Sequence, residues 1–220
     1  MDESTRNFII QFAMGLPGLL VGIVFHEYSH GRMALHFGDP TAKASGRLTF
    51  NIASHLELWG SVIVPILSIL LGGSMFGWAK PVPINPANFK NYRKGLFWVS
   101  FAGPLANYII VILSALGFAL CYHYLPSSFY LQEPILSIFR QSVLINTIIG
   151  TFNLIPLPPL DGSRIVSSML SFRGQQIYDQ IGRYSIIFFL LLIFTPIGQY
   201  IFLPPLVMAN SILAFFLYLF

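Results

Sequence analysis

Charge is what this chain lacks most: of its 220 residues only 9% are Asp, Glu, Lys or Arg, while 55% are hydrophobic. Ordinary soluble domains carry about 25% charged residues, so there is too little charge here to coat a water-facing surface. Cysteine is nearly absent as well. Cys121 stands alone, which excludes an intrachain disulfide and any multi-cysteine metal site and makes it a packing residue. A basic leader is missing: the opening MDESTRN carries acids before the first apolar run, unlike a signal peptide. There is no internal repeat and no low-complexity tract.

Long apolar runs are present instead. Those at 8–37, 95–124, 136–155, 182–195 and 198–220 read as helices, and several approach or exceed the ~20 residues needed to cross a bilayer. A sixth candidate, LWGSVIVPILSILLGGSMFGW at 58–78, is interrupted by Pro65 and by Gly72 and Gly73, which suits a re-entrant or broken element. Residues 38–57 are polar and turn-rich, with the strand-like piece GRLTFNI. The alternating prolines of GWAKPVPINPANF at 77–89 suit an extended strand or loop and exclude helix. The expected fold is an all-α polytopic membrane protein of about five to six transmembrane helices, with a small re-entrant or β-hairpin element between the first helix and residue 95. Residues 1–220 make one membrane domain, its core at about 8–175 and its C-terminal helices at about 182–220, with no length left for an appended soluble domain.

The net charge of +4 would hint at nucleic acid in a soluble protein, but in a membrane protein the placement of Lys and Arg matters more. If 58–78 dips in and returns, everything from 38 to 94 shares one side with the 156–181 loop. Of the twelve Lys and Arg residues, only Arg6 and Arg140 then lie opposite. The positive-inside rule favours that arrangement and makes the shared side cytoplasmic, with the N-terminus outside.

VFHEYSHGRM at 24–33 places titratable groups in this apolar setting. Residues four apart on a helix project about 40° apart, so His26 and His30 point the same way and can chelate one metal ion, with Glu27 close enough to work on water at that metal. Chance produces this pattern on the order of once in several hundred such chains. Polar helix packing is the bland alternative, but an ionisable group at the centre of a membrane helix costs about 2.5–3.5 kcal/mol. A catalytic zinc site has three protein ligands and an open position. His36 has metzincin spacing, yet Met33 stands where a Gly would turn the chain back. On a continuing helix His36 points about 120° from His30, as an interfacial histidine. Asp161, after the proline-broken NLIPLPPL, is the better third ligand; the alternative is an N-cap on the helix that follows. Asn153 sits eight residues earlier, where its amide can donate to an oxyanion or simply bond the carbonyls of a broken helix. His123 lies in an aromatic interface belt on the outer side. His55 and Glu57 lie on the inner side, as groups that support the metal ligands, substrate gates or ordinary turn residues.

Together HEYSH at 26–30, AGPLAN at 102–107 and NLIPLPPLDG at 153–162 resemble the site-2 protease family of intramembrane zinc metalloproteases. GDPTAKASGRLTFN and GWAKPVPINP look like its compact bacterial and archaeal branch without a PDZ domain. The resemblance covers about residues 20–175. It implies one zinc ion per chain on His26, His30 and Asp161, Glu27 as the base and Asn153 at the substrate carbonyl. It also implies cleavage of transmembrane protein substrates near the cytosolic side of a prokaryotic cell membrane. In that branch NIASHLELWG more often reads N-P-x-x-H-x-D-x-x-G, so Ile52 and Glu57 depart from it and leave the role of His55 open. The N-terminus is short, with no whole helix before the metal-binding one, so gating of substrate is expected to differ from that of longer members. The expected function is intramembrane endoproteolysis, with no nucleic acid partner. The rival readings are a metal transporter using the same ligands, which does not need Glu27, and a proteolytically silent scaffold, against which the intact His-Glu-His-Asp set argues.

Overall fold

Each long apolar run that falls within the described residues becomes a helix. The computed structural model describes residues 3–57, 63, 79–185, 187–188, 195 and 197–220. Seven α-helices follow in order: α1 (Glu3–His36), α2 (Thr41–Ala44), α3 (Tyr92–Tyr124), α4 (Gln132–Asn153), α5 (Asp161–Met169), α6 (Phe172–Gly182) and α7 (Ile197–Leu219). Four of them are long and apolar enough to cross a membrane, namely α1, α3, α4 and α7. Of the five to six spans expected, these four lie among the described residues. The run at 182–195 lies largely, and the one at 58–78 almost wholly, outside the described residues; the former is in any case short of the ~20 residues a span needs.

Local chemistry accounts for the helix ends. Asn91 caps α3 by accepting from the Lys94 amide at 3.0 Å, and Pro126 follows the last residue of α3 by two positions. Ser171 caps α6, accepting from the Gly174 amide. Val111, Ala115 and Phe118 of α3, Leu136 and Val143 of α4, and Ala209 and Leu213 of α7 form the larger buried cluster. Helices α1 and α4 approach closely. A Cβ on Gly18 would come 2.6 Å from Ser142 Cα, and one on Gly22 would come 2.2 Å from Asn146 Oδ1. Without a Cβ at these two positions the backbones can close, as membrane helices do in the absence of a hydrophobic drive between them.

The chain leaves α1 and enters α3 at the same end of the bundle. Lys90 donates its amide to the Phe37 carbonyl at 2.9 Å, and Lys80 donates to the His55 carbonyl at 3.0 Å, so both flanks of 58–78 meet. At the opposite end His123 lies 3.2 Å from the Leu217 carbonyl.

Among the described residues there is no strand, so the expected β-hairpin is not found. The strand-like 46–52 stretch ends in a 3-10 turn, Ile52–Ser54, and 79–85 is extended but unpaired. Prolines at 81, 83 and 86 remove donors, and two of the amides that remain go to side chains. Val82 donates to Glu27 Oε2 at 2.7 Å and Asn85 to Asp39 Oδ2 at 2.7 Å.

Asp39 is fully buried and ties this extended segment to the end of α1. Burial works against its charge, but bonds from the Thr41 hydroxyl, the Asn88 amide and the backbone of Asn85 and Thr41 outweigh it and hold the carboxyl below its usual range. Stability from such a lowered group is fully present above the unfolded value of about 3.9 and is lost as pH falls through the folded one. Asp39→Asn is therefore expected to lower the thermal midpoint of detergent-solubilised protein at pH 7, by about 1–3 kcal/mol in stability. That deficit should shrink as melts are repeated at acid pH below the folded value; a deficit constant across pH would contradict the assignment.

Candidate metal centre

Three side chains from two helices converge. His26 and His30 lie one turn apart on α1, and Asp161 is the first residue of α5. Their Nε2 atoms stand 3.0 Å apart, and each is 3.2 Å from Asp161 Oδ2. His26 and His30 are only 7% and 6% exposed. The N-cap of α5 is Leu160, with no side-chain cap bond, so the carboxylate of Asp161 is turned to the imidazoles instead of capping its own helix. Gly162 lets the broken chain fold back here: a Cβ on it would meet the Leu154 carbonyl oxygen at 2.2 Å.

The outer nitrogens decide what the inner ones can do. His30 Nδ1 lies 2.6 Å from the Val99 carbonyl, which can only accept, so Nδ1 carries the proton. His26 Nδ1 lies 2.7 Å from Asn107 Oδ1, again an acceptor. Both Nε2 atoms then present lone pairs, and their 3.0 Å approach is a meeting of acceptors. Asp161 Oδ2 brings a third acceptor and is buried without a hydrogen-bond partner. Three acceptors so close repel one another unless a cation lies between them. Their 3.0–3.2 Å edges match the roughly 3.3 Å edge of a tetrahedron whose corners lie about 2.0 Å from a zinc ion. Among the described residues these three are the group that could hold a metal ion. The donor set fits one.

Glu27 follows His26 directly, half-buried, with one carboxylate oxygen held by the Val82 amide. Asn153 ends α4, and its amide donates to the Ile149 carbonyl of its own helix at 3.1 Å. His36 stays out of the cluster, exposed and edge-on to Phe37. His55 is fully buried, bonded through Nε2 to the Thr49 carbonyl at 2.8 Å.

Reading the sequence residue by residue missed Gly103, Asn107 and Asn146. A Cβ on Gly103 would lie 2.4 Å from His30 Nε2 and 2.7 Å from His26 Cε1, so α3 can back the imidazoles only with a glycine there. Asn107 and Asn146 carried a signal: both are amides inside apolar runs, where a polar group invites a functional reading.

Comparisons with known proteins bear on the same region. The model of peptidase family M50 matches residues 14–195. A Bacillus subtilis protein named "Putative zinc metalloprotease YwhC" is 36% identical over 189 residues, covering 86% of this chain and 83% of that protein. "Putative zinc metalloprotease Rip2" of Mycobacterium tuberculosis is 26% identical over 185 residues, 84% of this chain and 68% of its own. No solved structure matches the chain.

Gly103→Ala should push the two imidazoles out of register and cut zinc retained by purified protein at least about tenfold, as losses of supporting partners do. Gly150→Ala, whose Cβ would meet nothing closer than 3.4 Å, serves as the control and should retain zinc as the wild type does. Metal analysis of both variants decides it; equal zinc in the two would contradict the role of the bare α-carbon at 103.

Proposed function

Because the chain belongs to peptidase family M50, the site-2 protease family, we propose that it is an intramembrane zinc endopeptidase that hydrolyses peptide bonds within transmembrane segments of membrane proteins. The observation that carries the reading is the convergence of Asp161 Oδ2 with the Nε2 atoms of His26 and His30, which lie with Glu27 on a helix apolar enough to span a bilayer. His26, His30 and Asp161 would hold one zinc ion, with a fourth position left for water or substrate. When bound, zinc supplies Lewis acidity, polarising a carbonyl and making water acidic enough to lose a proton near neutrality.

Glu27 is the base. It takes a proton from water as the oxygen attacks the scissile carbonyl carbon, and it returns that proton to the departing amine. The C–N bond breaks, a C–O bond forms, and one acid and one amine leave. The Val82 amide holds one Glu27 oxygen and leaves the other free to move the proton. Asn153 would serve as the oxyanion donor, which requires its amide to leave the Ile149 carbonyl. The substrate has to be unwound locally, since helical hydrogen bonds shield the carbonyl. The extended 79–85 segment, not paired into a sheet, offers an edge for it.

Residues 1–220 serve as one catalytic membrane domain in a prokaryotic cell membrane. The bond between Lys80 and His55 supports a 58–78 segment that re-enters on the side it left, and the concentration of Lys and Arg makes that side cytoplasmic. In a Cys121→Ser background, cysteines at 43 and 90 should label from the same side of sealed vesicles. Labelling from opposite sides would end the re-entrant topology.

Glu27→Gln keeps an oxygen that can accept from Val82, so it should retain zinc and lose the proton shuttle. General acid–base catalysis contributes typically ~10²–10⁴-fold, and cleavage of a reconstituted transmembrane substrate should fall at least that far. His26→Ala should lose zinc, whereas His36→Ala should keep it. Wild-type cleavage by zinc-loaded Glu27→Gln protein would refute the mechanism.

A further inference from the structure

Four α1 residues spaced one helical turn apart, Gly18, Gly22, His26 and His30, face a seam shared with α3 and α4. Buried in that seam are two amides, Asn107 of α3 and Asn146 of α4, neither exposed at all. Asn107 meets His26; Asn146 does not. Resting on the metal-site reading above, we infer that Asn146 is a positioning residue that sets His26 as an Nε2 donor to the metal by fixing the orientation of the Asn107 amide.

The argument is one of polarity along a chain of bonds. Asn146 Nδ2 lies 3.0 Å from the Gly18 carbonyl and 2.9 Å from the Ser142 carbonyl. Both can only accept, so the nitrogen of this amide has to be at that end and its oxygen at the other. Asn146 Oδ1 therefore receives Asn107 Nδ2, at 2.9 Å. That turns Asn107 Oδ1 towards His26 Nδ1, at 2.7 Å, and the imidazole proton has to sit on Nδ1. Nε2 is left with its lone pair on the side of His30 and Asp161.

Reversing the Asn107 amide would bring an N–H against His26 Nδ1. That nitrogen would then accept, the ring proton would move to Nε2, and Nε2 could no longer ligate. Reversal at Asn107 alone sets two N–H groups or two oxygens against each other somewhere along the chain. Reversal of both amides puts Asn146 Oδ1 against two carbonyls in a dry interior, where unmatched polar groups are most costly. Without Asn146, the Nδ2 of Asn107 keeps only its longer 3.3 Å bond to the Gly22 carbonyl. Gly22 belongs to the same device, since a Cβ there would come 2.2 Å from Asn146 Oδ1.

The test uses the full chain in detergent, with zinc itself as the probe in competition against a chelator. It adds histidine 15N chemical shifts of the metal-free protein, which tell an Nδ1–H ring from an Nε2–H ring. Asn146→Leu removes both functions of the amide. Asn146→Ser is the gentler variant, because its hydroxyl can still donate to the Ser142 carbonyl one turn back while falling short of Asn107. Ser114→Ala is the packing control, since it removes the 2.8 Å bond between Ser114 and Ser142 in the same seam without touching the amide chain.

Both Asn146 variants should bind zinc about tenfold more weakly, the low end of what loss of an outer partner does to a metal site. Their His26 signal should split between tautomers, while Ser114→Ala matches the wild type in both readings. Wild-type zinc affinity and a single His26 tautomer in either folded Asn146 variant would overturn the inference. So would an equal loss in Ser114→Ala, which would make Asn146 a packing residue. If the wild type, or His26→Ala as well as the wild type, showed that zinc binds elsewhere, the metal-site reading would fall instead; the tautomer of His26 in metal-free protein would still decide for or against Asn146.

Discussion

Three acceptors held within 3.2 Å of one another, in a bundle with almost no charge of its own, are the arrangement on which the rest of this structure depends. Such a cluster is unfavourable in itself. It stands because both imidazole nitrogens turned away from it are already bonded to another helix: His30 to Val99, His26 to Asn107, and Asn107 in turn to Asn146. A buried polar group without a partner is costly, so these bonds are conditions for the helices to pack at all. The same bonds that satisfy α3 and α4 orient the imidazoles.

Small residues make the approach possible. Gly18 and Gly22 bring α4 onto α1, and Gly103 brings α3 within reach of both rings. In lipid there is no hydrophobic gain from joining two apolar helices, so close backbone contact and polar bonds across the seam have to supply the attraction. Here both fall on the face of α1 that also carries His26 and His30, which joins helix association to site assembly.

Two further carboxylates play matching parts. Glu27 and Asp39 each accept from a backbone amide of the extended 79–85 stretch, and the prolines in that stretch leave few other donors. A segment whose sequence suits a strand is held instead by side chains of α1 and of the turn after it. On the proposed reading this puts an extended edge directly beside the general base, with the Val82 amide shared between the two tasks of holding the segment and aiming the carboxylate.

Much of this was legible in the sequence, for reasons that differ from element to element. Apolar runs of sufficient length specify α1, α3, α4 and α7, because in lipid a backbone has to satisfy its own hydrogen bonds. The i, i+4 spacing of His26 and His30 is local geometry, and it survives whatever the helix packs against. The hairpin is not found among the described residues, since a proline-rich extended segment looks the same in sequence whether its amides meet a strand or two carboxylates. The sequence by itself determined the helices, the facing histidines and the break before Asp161. Only the tertiary structure decided that Asp161 turns to the histidines instead of capping α5, and that Asn107 and Asn146 stand behind His26. Those are contacts between residues far apart in the chain, and which of them form depends on how closely the glycines let the helices approach.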